Sequence, residues 1–266
     1  MLKQRVVTAL VLLSLFLGAL FYLPPLSWAV LTLAGALVGA WEWGGIARYP
    51  AGTRWTYVAV TAVLALILFE LGASVWADIF ALALLFWLVP ATLWLAFRWQ
   101  PTNLITFAVL GWLVLLPTWL GLVYLHGVTP KLLLAIMAVV WIADSAAYFS
   151  GRKFGKRKLA PSISPGKSWE GVAGALLGVA LFGASVAWLA GASWWVLPAF
   201  AALTGLSIVG DLFESWMKRL AGIKDSGSIL PGHGGVLDRI DGLTPTLPAA
   251  ALCTMLGCLD WGVLVK

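Results

Sequence analysis

Charge is what this sequence has least of. Its 266 residues hold 17 Lys and Arg and 11 Asp and Glu, or 11% charged, where a soluble domain carries about 25%. With 62% hydrophobic residues beside it, this scarcity excludes a soluble globular enzyme, a disordered chain and a coiled coil. Cysteine is nearly absent. Cys253 and Cys258 lack the four-ligand spacing of a zinc site and read as packing residues in a late apolar segment. The alternating ~10-residue segments of a transmembrane β-barrel are also missing, because the apolar runs are continuous. No basic run stands apart from those segments, so the net charge of +6 reads as membrane topology and not as nucleic-acid binding.

What is present is apolar sequence enough for roughly eight or nine spans of ~20 residues. The expectation is an all-α polytopic membrane protein with spans near 6–22, 27–47, 56–72, 77–97, 104–126, 131–150, 171–190, 195–213 and 243–264. The first follows Lys3 and Arg5 but has no A-x-A cleavage pattern, so it reads as a retained span. Pro24-Pro25 then separates it from the second. With the N-terminus cytoplasmic and the C-terminus external, all Lys and Arg except Lys131 and Lys266 fall on the cytoplasmic side. That split is what the positive-inside rule requires of nine spans. Trp28, Trp55, Trp194 and Trp195 fall near span ends, at expected headgroup level, whereas Trp112 and Trp141 lie mid-span and are expected between helices.

The few charges are unevenly placed. The stretch from Asp144 to Asp241 holds Asp144, Glu170, Asp211, Glu214, Asp225, Asp238, Asp241 and ten bases. Residues 1–130 therefore read as transmembrane scaffold. Residues 131–266 read as a catalytic region with cytoplasmic loops at 151–170 and 214–242, the whole forming one integral unit. An Asp within an apolar helix costs about 2.5–3.5 kcal/mol on insertion scales and usually faces a cavity, a partner or an ion. Asp144 and Asp211 are such residues. Asp211, Glu214, Ser215 and Lys218 are spaced to share one helical face.

Two loops carry the remaining chemistry. In the first, Ser162-Ile163-Ser164-Pro165-Gly166-Lys167-Ser168 precedes a new helix and offers hydroxyls, backbone N–H groups and a Lys to a phosphate, without P-loop spacing. In the second, Pro231-Gly232-His233-Gly234-Gly235 forms a compact turn before Asp238 and Asp241, which aim at the same space if helical. With Asp211 they make three carboxylates, a set suited to a hard divalent cation. Lys218, Arg219, Lys224 and Arg239 are placed to neutralise phosphate oxygens. Acids beside bases at a cytoplasmic interface point to phosphoryl or nucleotidyl transfer.

The run Ser215-x-Met217-Lys218-Arg219-x4-Lys224-Asp225-x-Gly227-x2-Leu230-Pro231, continued by His233-Gly234-Gly235-x2-Asp238-Arg239-x-Asp241, closely resembles the signature of the phosphatidate cytidylyltransferase (CDP-diacylglycerol synthase) family. The stretches Asp144–Gly151 and Ile163-Ser164-Pro165-x-Lys167-Ser168-x-Glu170-Gly171 are also similar to it. The resemblance is strong over roughly residues 140–245. It implies the reaction CTP + phosphatidate → CDP-diacylglycerol + diphosphate with Mg²⁺, and leaves room for a monovalent cation such as K⁺. It further implies a homodimer in a bacterial-type inner membrane with its site facing the cytoplasm. Carried onto this sequence, it places the metal at Asp211, Asp238 and Asp241, and catalytic roles also at Lys218, Arg219, Lys224, Asp225 and Arg239. Substrate contacts fall at Asp144, Ser164, Lys167, Ser168, Glu170, Ser215, His233, Gly234 and Gly235. His233 stands where a base would, although its glycine neighbours point equally to loop geometry. The nearest alternative is a CTP-dependent lipid kinase of polyprenol-kinase type; an anion or lipid transporter is a more distant one.

Overall fold

The computed structural model describes residues 2–101, 103–229 and 234–265, with side chains at position 11 and from 13 onward. The chain folds as α1 (Leu2–Tyr22), α2 (Pro25–Ile46), α3 (Ala51–Leu71), α4 (Ala73–Leu88), α5 (Pro90–Phe97), α6 (Leu104–Val128) and α7 (Pro130–Phe154). A hairpin of β1 (Lys158–Ala160) and β2 (Ser164–Ser168) leads into α8 (Trp169–Ala190) and α9 (Val196–Leu220). The short α10 (Leu237–Ile240) and α11 (Leu243–Met255) close it, followed by a 3-10 turn at Gly262–Val265.

Prolines set several of these limits. Pro25, Pro90 and Pro130 each stand in the first turn of a helix, where the missing N–H is not needed. Pro90 also breaks α4 from α5, yet the two run as one 25-residue apolar passage. Among the described residues, seven such passages are long and apolar enough to cross a membrane. The protein is therefore an all-α polytopic membrane protein in its main architecture. Two features differ from expectation. The 151–170 loop contains an antiparallel hairpin, pairing Lys158 with Ser168 and Ala160 with Ser164. The helical part of the last segment has only 13 residues, about 20 Å of helix against a hydrocarbon core of about 30 Å. Its first nine residues are all buried.

Hydrogen bonds between connections sort the bundle into two ends. Tyr49 Oη donates to the Leu104 carbonyl (2.6 Å), Arg48 Nη2 to Leu220 (3.4 Å), Trp216 Nε1 to Trp99 (2.9 Å) and Arg219 Nε to Ile163 (3.5 Å). These bonds gather the basic connections at one end. At the other, His126 Nε2 donates to the Leu20 carbonyl (3.0 Å) and Ser193 N to the Asp260 carbonyl (2.9 Å). The tail after α11 thus reaches the α8–α9 connection, at the end opposite to Asp241. The core lies around α6, which packs against α2, α4, α7 and α11. The C-terminal helix is consequently seated on N-terminal ones, and the two halves share one core.

The tryptophans divide as their surroundings require. Trp55, Trp194 and Trp195 are exposed. Trp28 is not at a surface: it is buried, stacks on His126 at 4.7 Å, and donates from Nε1 to the Leu122 carbonyl. Trp112 stacks on Tyr57 and donates to Thr61 Oγ1 (3.0 Å), and Trp141 meets Phe16 edge-on, both between helices as expected.

Candidate active site

The charged end holds a cleft of about 630 Å³ between α7, α8, α9 and the hairpin. Its inner wall is apolar, from Ala143, Ala147, Val172, Ala175 and Ile208. Its outer part is polar, from Asp144, Arg152, Lys158, Ser164, Lys167 and Asp211. The cleft exists because α7 and α8 are tied at their ends. Ser168 caps α8 by accepting the Gly171 amide (3.2 Å), and Glu170 in the first turn accepts the amides of Lys156 (3.1 Å) and Arg157 (3.2 Å). Ser168 and Glu170, expected at the substrate, hold the turn beside the cleft, and Ser168 also lines it. Gly166 lies on the cleft with open space where a side chain would project.

On the polar side of the cleft the acids converge. Asp211 on α9 forms an ion pair with Lys167 Nζ at 2.5 Å and accepts the Ser215 hydroxyl at 3.3 Å. Asp144 on α7 lies within electrostatic reach of Asp211, Lys167 and Arg239. Asp241 joins them because the chain after α10 passes tightly between α7 and α9. A Cβ on Gly242 would lie 2.9 Å from Val140 Cγ1 and 3.3 Å from Ser207 Oγ, one helical turn before Asp144 and Asp211 respectively. Gly210 meets the Asp241 carbonyl and Pro245 so closely that no side chain fits. Burial, then the charges of Asp211, Glu214 and Asp144, push the Asp241 carboxyl well above the usual carboxylate range.

A second polar cluster lies beside the first. Lys218 is buried and pairs with Asp238 Oδ1 at 2.5 Å and with Glu214 at 3.3 Å. This confirms the expected shared face of α9, which continues helical to Leu220. Among the described residues neither Glu214 oxygen attains hydrogen-bond geometry, and its contact with Lys218 is an ion pair. Asp238 Oδ2 accepts the amides of Ser226 and Gly235 (both 2.9 Å) and faces the Ser226 hydroxyl at 3.0 Å. Burial by itself would raise this carboxyl; the Lys218 bond, the Gly235 amide, the Lys218 charge and the Ser226 amide outweigh it and hold Asp238 below its ordinary value. Asp238 and Asp241, expected to share a space, therefore part. The four-residue α10 turns one toward Lys218 and the other toward Asp211.

The other expected residues are more exposed. Arg219 links the hairpin to the α9 end through Ile163 and the Ile223 carbonyl (3.2 Å). Lys224, Asp225 and Arg239 are at the surface of the same end. Gly234 adopts a φ of +82° beside Asp238 and Asp225. His233 lies outside the described residues. One residue was missed altogether: Glu42 of α2, 2% exposed, whose carboxylate accepts from Ser226, Val236 and Leu237. An acid inside an apolar span was the available signal, but its partners lie almost 200 residues away.

As a metal site the arrangement supplies hard oxygen donors only, the chemistry Mg²⁺ favours. Asp211 and Asp241, with Asp144 beside them, concentrate negative charge; Lys167 pairs with Asp211, and the Arg239 charge acts on Asp144. Both Asp238 oxygens are engaged by the protein. Among the described residues no group of three or more His, Cys, Asp or Glu is already drawn to metal-holding spacing.

Comparison with known proteins agrees with this chemistry. The model of the cytidylyltransferase family matches residues 3–256. A phosphatidate cytidylyltransferase of Pseudomonas aeruginosa is 45% identical, the match covering 98% of this chain and 99% of that protein. Those of Haemophilus influenzae and Brucella suis are each 36% identical, with 93% and 97% of this chain covered and 96% and 94% of theirs. A match of this length and identity leaves one conclusion: the chain belongs to the cytidylyltransferase family.

Proposed function

We propose that this enzyme is a phosphatidate cytidylyltransferase. A phosphate oxygen of phosphatidate attacks the α-phosphorus of CTP, the bond to the β-phosphate oxygen breaks, and CDP-diacylglycerol and diphosphate leave. The observation that carries the reading is the cleft itself, which joins an apolar wall between α7 and α8 to the Asp144–Lys167–Asp211 cluster. One surface suits acyl chains and the other suits phosphate.

The nucleophile is already ionised near neutral pH, so the barrier is repulsion between anions and charge on the departing diphosphate. Preorganised cations lower both. Lys167 serves at the junction of cleft and acids. Arg152 and Lys158 line the cleft around the lipid phosphate. Arg219, Lys224 and Arg239 face the nucleotide from the loop side, with Asp225, His233, Gly234 and Gly235 on the same loop and Ser164 and Ser215 beside the phosphates. Asp211 and Asp241, with Asp144 adjacent, are the residues that would hold Mg²⁺, which supplies charge neutralisation of the triphosphate when bound. Asp238, expected among the metal ligands, serves the loop in this arrangement, and Lys218 serves with it. A monovalent cation such as K⁺ is proposed beside the same acids.

We also propose nine passages through a bacterial inner membrane, with the N-terminus and the active site cytoplasmic, the C-terminus external, and a homodimeric state. The gathering of basic connections at the active-site end supports that orientation. The tail that carries α11 to the opposite end supports the ninth passage.

The test is transfer from doubly labelled CTP into lipid. Label from the cytosine ring must appear in the lipid product with diphosphate released. Transfer of the γ-phosphate label instead would replace this reading with a lipid kinase.

A further inference from the structure

The loop between α9 and α10 is fastened by a carboxylate from the opposite half of the chain. Glu42 stands near the end of α2 and is buried. Its Oε1 accepts the Val236 amide (3.0 Å) and its Oε2 the Leu237 amide (2.9 Å). The Ser226 hydroxyl stands 3.0 Å from both Glu42 Oε2 and Asp238 Oδ2, so its single proton is shared between two buried carboxylates. Asp238 then holds the amides of Ser226 and Gly235. Position 226 at one side of the loop and positions 235–237 at the other are thus drawn onto the same pair of acids.

The fit is close. A Cβ on Gly227 would lie 2.5 Å from Glu42 Oε1, and one on Gly235 would lie 2.6 Å from Glu42 Oε2. Glycine at these two positions lets the carboxylate reach the backbone. Burying a carboxylate is costly unless hydrogen bonds replace its hydration. Here three donors of one loop replace it, and no apolar residue at position 42 could fasten two amides. Leu237, pinned by Glu42, opens α10, and Asp241 follows directly after that helix. The geometry points to Glu42 as a positioning residue: by fastening Ser226 to Val236 and Leu237 it sets the place of Asp241 against Asp211. This inference rests on the active-site reading above.

The test uses the full-length protein in lipid or detergent, with Glu42→Gln. The amide turns NH₂ toward backbone donors that need an acceptor. Turnover is expected to fall between about tenfold and 100-fold, the scale of a small misplacement of reacting groups. The KM for phosphatidate stays within about twofold, because the α7–α8 cleft is untouched by a loop that serves alignment. Hydrogen exchange speeds up at Ser226 and Gly235–Leu237 and nowhere else. Glu42→Asp, which keeps the charge with shorter reach, recovers part of the turnover. Ser226→Ala cuts the bridge to Asp238 and lowers turnover with the same local exchange signature. Combined with Glu42→Gln, it costs less than the two single losses added.

Wild-type turnover in Glu42→Gln overturns the inference. So does faster exchange spread over α2, α3 and α6 with full turnover in the folded fraction. Should Glu42→Gln fail to fold, Ser226→Ala decides, and normal turnover there overturns it. An active Asp211→Asn with Glu42 intact would instead sink the active-site reading, so the two failures are distinguishable.

Discussion

The two polar clusters at the charged end use the same residue types in opposite ways. Around Asp211, carboxylates from α7, α9 and the α10–α11 junction crowd together with Lys167 at 2.5 Å as the close cation. In the second cluster both Asp238 oxygens are met by a Lys, an amide or a hydroxyl, and Glu214 pairs with the same Lys218. The first cluster borders the cleft; the second is enclosed. Asp241 and Asp238 show the contrast in a single stretch of chain, since one carboxyl is pushed up and the other held down. An acid with its donors supplied by the protein builds structure. An acid crowded by other carboxylates, as Asp241 is by Asp211, Glu214 and Asp144, is the kind whose charge a bound cation would neutralise.

The comparison can be broken by substitution. Asp211→Asn removes a charge from the open cluster, and its effect is expected to be the largest: turnover falls at least ~10²-fold while membrane insertion and Tm change little. Near-wild-type activity would remove Asp211 from the reacting centre. Lys218→Met acts on the enclosed cluster and leaves Glu214 and Asp238 buried with no cation between them. It should destabilise the protein by about 3–5 kcal/mol, read as a lower unfolding midpoint in detergent; an unchanged midpoint would show that the ion pairs add nothing to stability. The smallest effect belongs to Ser168→Ala. Loss of the α8 cap should cost about 1 kcal/mol, with KM for phosphatidate moving less than about threefold because Ser168 frames the cleft without being its charge. A large rise in KM without a fall in Tm would place Ser168 on the substrate after all.

Much of this was legible in the residues. The spacing of Asp211, Glu214, Ser215 and Lys218 defined one face because helical geometry is local, and the α9 side chains pair as that spacing requires. The basic connections gathered at one end for the same reason that membranes sort charge. Other features were hidden. The hairpin at 158–168 has Pro and Gly in its strands and only three residues in β1, so no periodicity announced it. Trp28 stood at a span end, yet its ring is buried because α1 and α6 close over it. Glu42 appeared as an isolated acid in scaffold until α2 met the loop it fastens.

The low charge content determined the class of protein, and the few charges determined at which end the proposed active site lies. Both follow from local rules: transfer of side chains into lipid, and the 3.6-residue period of a helix. Only the tertiary structure decided which carboxylates are engaged in holding the chain and which crowd together beside the cleft. That division depends on donors brought from distant segments, Lys167 to Asp211 and the Leu237 amide to Glu42, and no local pattern records which buried acid will meet them.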